Sequence, residues 1–319
     1  MSKYQFQTAA IIGTGMMGPG IAGTLALGGV HSTILSRTAE GAIKGLESAR
    51  RQIRLLEENG LADSARAARA LELVDASTAF DATIARVDLV IESAPENMEF
   101  KQKLFAHMDS IAKPDAVLTS NTSGLSITAI ASLCRRSERV LTTHFWNPPH
   151  LMPLVEIVKG EKTSDAVAEA VRELLIACGK IPVIVKKDRP GQLGNRLQMA
   201  LVREAANIVA EGIADAEAVD TVIKNGLGLR TPAYGTLEHL DVTGLDLGLA
   251  VVEYVAPDLY NEPRAPEYFR DLVRRGDLGA KTGKGFYDWS TRSADEVKAR
   301  RDQFLMEVLR WRRGQATKS

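Results

Sequence analysis

Cysteine is nearly absent from this sequence: its 319 residues include only Cys134 and Cys178, far apart and in no CxxC pair. That argues against a disulfide scaffold and leaves two reduced, buried thiols in a cytosolic protein. Net charge is absent as well. The 40 basic and 40 acidic residues cancel, so nothing in the balance points to nucleic acid or to an anionic membrane surface. No apolar run is long enough to span a bilayer. The polar stretch Met1 to Thr8 leads straight into a strand-like run, with no secretory signal visible. His107, His144 and His150 have no zinc-ligand spacing with cysteines or carboxylates, so no metal is expected. A cytoplasmic globular protein of two domains remains.

What is present begins with alternation. Ala9-Ala10-Ile11-Ile12-Gly13 is a short apolar run of the kind that forms a buried parallel strand, and Ser32–Ser36 reads as the next. Between them, Gly18 to Gly28 reads as a helix of small residues. Val87–Ser93, Ala116–Ser120, Val140–Thr143 and Ile181–Lys186 continue the strand series, mostly separated by helical stretches. The pattern predicts a mostly parallel sheet covered by helices on both faces. Gly41 to Leu71 is charged and helix-favouring, with one strong break at Asn59-Gly60. It predicts two antiparallel helices projecting from the first domain. Composition shifts at Lys186-Lys187-Asp188-Arg189-Pro190-Gly191, after which Leu197, Leu201, Ala205 and Ile208 recur at helical spacing. The expected boundary therefore separates an α/β domain, 1–187, from an all-helical domain, 188–319. The tail, Ala294 to Trp311, reads as a docked helix with a solvated basic face.

Gly13-Thr14-Gly15-Met16-Met17-Gly18 is a GxGxxG motif. It follows an expected strand and opens an expected helix, which is the context a dinucleotide site requires. Gly13 permits the tight turn, Gly15 lets backbone approach a pyrophosphate, and Gly18 allows close helix–strand packing. Met16 and Met17 fill the variable positions. An acid at the end of the second strand normally binds the ribose of NAD. Here that strand ends in Ser36, followed by Arg37 and Thr38. Two hydroxyls and a guanidinium suit a 2′-phosphate, so NADP is expected ahead of NAD. The alternatives are that Arg37 stacks on adenine while NAD binds, or that Glu40 reaches back to the ribose.

His144 directly follows the expected strand Val140–Thr143, at the carboxyl end where open parallel sheets bind ligands. Pro148-Pro149 fixes the backbone after it, Asn147 supplies an amide nearby, and Glu156 lies on the next strand-like run, Leu154–Val158. If the chain doubles back, Glu156 fixes the imidazole tautomer and His144 removes a hydroxyl proton while hydride leaves for a nicotinamide. Otherwise Glu156 is a carboxylate on a strand edge. Ser120-Asn121-Thr122-Ser123-Gly124 is either a polar pocket loop or a helix cap. Asn195 either faces a cleft or bonds locally. Glu96-Asn97 lies on the nucleotide side or is simply a helix start.

The segments Gly13–Gly20, Glu92–Lys101, Ser120–Ser123, His144–Glu156, Lys187–Arg196, Gly244-Leu245-Asp246 and Lys281–Trp289 together resemble the 3-hydroxyacyl-CoA dehydrogenase family over nearly the whole chain. The resemblance implies a Rossmann-like domain followed by a helical domain that also forms a homodimer. It implies His144 as catalytic base with Glu156 as its partner. Ser123 and Asn195 would bond the reacting oxygen or His144, Asn147 would help hold the active site and substrate, and Glu96 and Lys101 would lie near the cofactor. The substrate would be a 3-hydroxy or 3-keto acyl-CoA or small acid. Two departures matter. Ser36 stands where the family usually carries an acid. Asn147-Pro148-Pro149-His150-Leu151-Met152-Pro153 replaces a pattern with lysine before the LVE. The double proline resembles branches acting on small free acids, such as the L-gulonate 3-dehydrogenases and dehydrogenases of vitamin B6 breakdown, with Trp146 and His150 shaping a smaller pocket. The family binds CoA at the helical pair, where Arg50, Arg51 and Arg54 either meet phosphates or form a salt-bridged face with Glu47, Glu57 and Glu58. The other open reading is a dinucleotide-binding sensor or structural protein without catalysis.

Overall fold

The computed structural model describes residues 4–316; Met1–Lys3 and Thr317–Ser319 lie outside it. By contacts the chain forms two compact units, one of residues up to Arg196 together with those from Arg300 on, the other Leu197–Ala299.

The first unit is built on an eight-stranded sheet in the order β3-β2-β1-β4-β5-β6-β7-β8. The strands are β1 (Thr8–Ile12), β2 (His31–Leu35), β3 (Val74–Ser77), β4 (Leu89–Glu92), β5 (Val117–Ser120), β6 (Val140–Phe145), β7 (Leu154–Lys159) and β8 (Ile181–Val185). All neighbours are parallel except β6 and β7, which are antiparallel. The chain runs outward from β1 to β3, then returns to β4 on the other side of β1. That reversal opens a crevice at the carboxyl ends of β1 and β4, where such sheets bind ligands. Register aligns Ile12 with Glu92, Glu92 with Ser120, and Ser120 with Thr142. The polar residues that follow these strands therefore arrive side by side.

Both faces of the sheet are covered, which is why its central strands are continuously apolar. Ala9 and Ile11 of β1 join one buried cluster, packed by α1 (Gly18–Leu27), α2 (Ala39–Glu58) and α3 (Ser64–Glu72). Ala10 joins the other, with Phe105 and Met108 of α4 (Met98–Ile111). After β7, α5 (Asp165–Ala177) adds Val167, Val171 and Leu175 to the first cluster.

The expected helical pair is present and breaks at Asn59-Gly60, with one face of each helix packed inward. The Ala42, Gly45, Ala49, Ile53 and Leu56 face of α2 is buried, as are Ala67 and Ala70 of α3. The C-terminal helix Ala294–Ala316 docks on this unit, packing Leu305, Met306 and Leu309 against the same core. Its Arg310 and Arg313 donate to the carbonyls of Asn59 and Gly60 at the tip of the pair.

The first unit also runs past Lys187, where the composition shifts. Asp188 accepts from the Ser126 hydroxyl at 2.6 Å and the Thr128 amide at 2.9 Å. These bonds tie the segment to the sheet domain as far as the start of α6 (Gly194–Ala210). The second unit is helical, with Ala216–Asn225, Thr236–Thr243, Leu245–Val255 and Glu267–Arg274 among its helices. No described helix is long and apolar enough to cross a membrane.

Candidate active site

The glycine turn between β1 and α1 has the shape its sequence implies. Gly13 adopts φ +118°, and a Cβ there would lie 2.7 Å from the Ser93 carbonyl oxygen. A Cβ on Gly18 would lie 1.8 Å from the Gly13 oxygen. Those two glycines are required by the fold itself. Gly15 is different: a Cβ there would meet nothing within 4 Å. The backbone at Gly15 is thus bare and open, at the amino end of a helix whose first N–H groups attract anions. Met16 is exposed, and Met17 takes the N-cap position with no side-chain capping bond. These residues fit the pyrophosphate of a dinucleotide.

At the end of β2, the Ser36 hydroxyl accepts from the Thr38 amide at 3.3 Å, and Thr38 caps α2 through the Gly41 amide. Arg37 is exposed and carries no hydrogen bond or ion pair among the described residues. Glu40 is paired with Lys44 at 2.6 Å and points along α2, which weakens it as a ribose ligand.

His144 and Glu156 face one another across the antiparallel β6–β7 pair, in register. The imidazole Nδ1 lies 2.9 Å from Glu156 Oε2. The side chains are 7% and 1% exposed, so the bond is shielded from water. The Trp146 indole N–H also donates to Oε2, at 3.1 Å. The amides of Leu193 and Gly194 donate to Oε1, at 2.9 and 2.8 Å. Burial pushes the Glu156 carboxyl upward, but these four hydrogen bonds outweigh it and hold the group at about 2. An ionised Glu156 keeps the proton on Nδ1 and leaves Nε2 as the acceptor.

Beside the dyad, Ser123 is exposed, its hydroxyl unpaired among the described residues. The Asn195 side-chain amide donates to the Ser123 carbonyl at 2.8 Å, and Gln192 donates to the Thr122 carbonyl at 2.8 Å. The start of α6 is thereby latched to the β5 loop as well as to Glu156. Glu96 accepts from the Thr122 hydroxyl at 2.5 Å and the Ser123 amide at 3.1 Å. Asn97 caps α4 through the Phe100 amide.

Lys101 is fully buried; its ammonium is 2.6 Å from Glu92 Oε1 and 3.5 Å from Glu96 Oε2, the other residue expected near the cofactor. It stiffens the site from behind. His150 lines a cavity of about 380 Å³ with Lys180 and residues of the C-terminal helix, and His144 is not among that cavity's lining residues. Asn147 is exposed, with no hydrogen bond among the described residues. Glu92, fully buried, and Asn121 lie in segments the sequence singles out, but neither has an assigned role of its own there. Glu92 also accepts from Ser120 at 2.6 Å, and Asn121 accepts from the Phe145 amide at 2.8 Å, fixing the strand beside His144. A lone acid ending an apolar strand, nine residues before a lysine, is the only sequence signal for the Glu92–Lys101 pair.

Comparison with known proteins agrees in both halves. The family model described as 3-hydroxyacyl-CoA dehydrogenase, NAD binding domain, matches residues 8–189, and that for the C-terminal domain matches 191–289. The 5-formyl-3-hydroxy-2-methylpyridine 4-carboxylate 5-dehydrogenase of Mesorhizobium japonicum is 32% identical over 94% of this chain and 96% of its own. A solved structure of such a dehydrogenase, an NAD+-dependent dismutase, superposes with a TM-score of 0.89 at 30% identity, covering 96% of this chain and 98% of that one. The (S)-3-hydroxybutyryl-CoA dehydrogenase of Ralstonia eutropha is 35% identical, with a TM-score of 0.74 over 89% of this chain and 99% of its own. With both family domains matched in order, the chain belongs to the 3-hydroxyacyl-CoA dehydrogenase family of nicotinamide-dependent dehydrogenases.

Proposed function

We propose that the protein interconverts a hydroxyl and a carbonyl group on a small carboxylic acid rather than on an acyl-CoA, with His144 as general base and NADP as the preferred cofactor. The observation that carries the chemistry is the shielded His144–Glu156 pair, with Nε2 left free. When bound, the dinucleotide takes up or returns the hydride at the substrate carbon. Gly13, Gly15 and Gly18 would receive its pyrophosphate, and Met16 and Met17 would flank it. Ser36, Arg37 and Thr38 would receive the 2′-phosphate, and Glu96 would lie beside the reacting end. His144 takes the hydroxyl proton in oxidation and returns it in reduction. Glu156 stabilises the imidazolium so formed. The Ser123 hydroxyl bonds the reacting oxygen, Asn195 holds the Ser123 loop, and Asn147 bounds the substrate.

The small-acid substrate class is favoured by the helical pair. Its inner face is buried, and the C-terminal helix packs at its tip. That helix begins beyond residue 289, where the second family model stops. The higher structural likeness to a pyridine-carboxylate dehydrogenase points the same way. Residues 1–187 would carry the dinucleotide and 188–319 the subunit contact. Leu237 and Val242 of the helical unit are 77% and 79% exposed, as expected of a face covered by a second copy.

A substrate screen by absorbance at 340 nm, comparing acetoacetyl-CoA with free 3-keto acids and aldehydes under NADH and NADPH in turn, tests this. Free acids turning over at least about tenfold better in kcat/KM supports it, and the reverse order overturns it. No turnover across the panel would favour a sensor or structural role.

A further inference from the structure

The cavity beside His150 belongs to no part of the site above. His144, Glu156, Ser123 and Asn195 are not among its lining residues. It exists because of the C-terminal helix, which supplies Leu309, Arg312 and Arg313 to one wall. That helix starts at Ala294, beyond the residues that both family models match, while the other walls lie within the first of them.

Its chemistry is one-sided. Arg66, His150, Lys180, Arg312 and Arg313 line it, and no acid does. Asp302, the acid whose charge reaches His150, is held by Arg301. Lys180 is 8% exposed. Its ammonium donates to the carbonyls of Pro149 and Met152, at 2.5 and 2.9 Å, which uses two of its three N–H groups. His150 Nδ1 is buried without a hydrogen-bond partner. A buried polar atom without a partner costs free energy that a ligand can recover. Burial holds the Lys180 amine down, at about 8, and the His150 imidazole at about 4. An anion in the cavity would raise both. The remaining walls are apolar, Leu56 and Leu61 among them. A volume of about 380 Å³ lies within the range of small-molecule sites and far exceeds the space a bare ion fills.

We propose that this cavity is a second ligand site, for a small organic carboxylate with an apolar body. The carboxylate meets Lys180 and the arginines, and the body lies against the leucines. Lys180 grips the turn that joins β6 to β7 and so links His144 to Glu156, which gives the ligand a route to the dyad. The inference does not depend on the identity of the substrate.

Calorimetric titration of the full chain with sodium benzoate tests it, with inorganic phosphate as the bare-anion control. One benzoate should bind per chain, in the wild type and in His144→Gln alike, and phosphate should bind at least about tenfold more weakly. Leu309→Trp, which fills the cavity, and Arg312→Glu, which reverses a charge on its wall, should each weaken benzoate by about tenfold or more while retaining dinucleotide binding. Dinucleotide binding shows that a variant is folded, and either folded variant suffices. No binding to the wild type, loss of binding in His144→Gln, phosphate binding as well as benzoate, or undiminished binding in a folded cavity variant would each overturn the proposal.

Discussion

Glu156 stands directly opposite His144 in the antiparallel β6–β7 pair, and its Oε2 lies 2.9 Å from the imidazole Nδ1. The pairing fixes which nitrogen carries the proton, so the two residues should fail in different ways. His144→Gln removes the base, and kcat should fall by about 10²–10⁴-fold with dinucleotide affinity nearly unchanged. Glu156→Gln keeps the ring but no longer stabilises its charged form, and should also cost about 10²-fold or more in kcat. Steady-state kinetics with fluorescence titration of the cofactor checks both. Activity within a few-fold of wild type in His144→Gln would sink its assignment as base.

The same carboxylate makes a stability prediction. Its pKa falls from an ordinary 4.5 to about 2 in the folded protein, so the unfolded chain binds its proton first as pH drops. Glu156 therefore contributes stability that is fully present above pH 4.5 and is lost as pH falls toward 2. The contribution is on the order of 3 kcal/mol. Denaturant melts of the wild type and Glu156→Gln should converge across that window. A constant gap between them would show that the four hydrogen bonds do not depend on the charge.

Lys101 offers a contrast between support and contact. Its ammonium and the Glu92 carboxylate are both fully buried, 2.6 Å apart. Lys101→Met strands the Glu92 charge, which should cost about 3–5 kcal/mol. For a domain of this size that is a fall in Tm of roughly 6–20 °C. If Lys101 instead touched the cofactor, dinucleotide affinity would fall with Tm intact. Calorimetric melting alongside cofactor titration separates the two.

The strands that position the site were legible because their residues are apolar on both faces, as in β1 and β4. The β3 strand Val74–Ser77 was not: four residues, half of them polar, at the sheet edge carry no pattern of their own. The helical pair was legible as two helices but not as docked ones. Its buried face is largely Ala42, Gly45 and Ala49, too weakly apolar to announce the contact it makes with α1, the glycine turn and β2. The dyad was visible as His144, a proline turn and Glu156 on an alternating run. Half of the bonds that ionise Glu156 come from the Leu193 and Gly194 backbone, and an amide leaves no mark on a sequence. Glu92 was hidden by the opposite effect, a charge at the end of an otherwise apolar strand.

Cofactor choice turns on the end of β2. Arg37 is exposed and uncommitted, Glu40 is engaged by Lys44, and no acid occupies the Ser36 position. A 2′-phosphate would gain charge-assisted bonds from Arg37 worth about 1.5–3 kcal/mol. NADPH should accordingly bind roughly 10–100-fold more tightly than NADH, with most of that margin gone in Arg37→Ala. Ser36→Asp should go further and reverse the order, since a carboxylate there repels the phosphate and accepts from the ribose hydroxyls. The Ser36 hydroxyl bonds only the Thr38 amide, so the change leaves the core untouched. Fluorescence titration of both reduced dinucleotides decides it, because tighter NADH binding by the wild type would assign Arg37 to the adenine face.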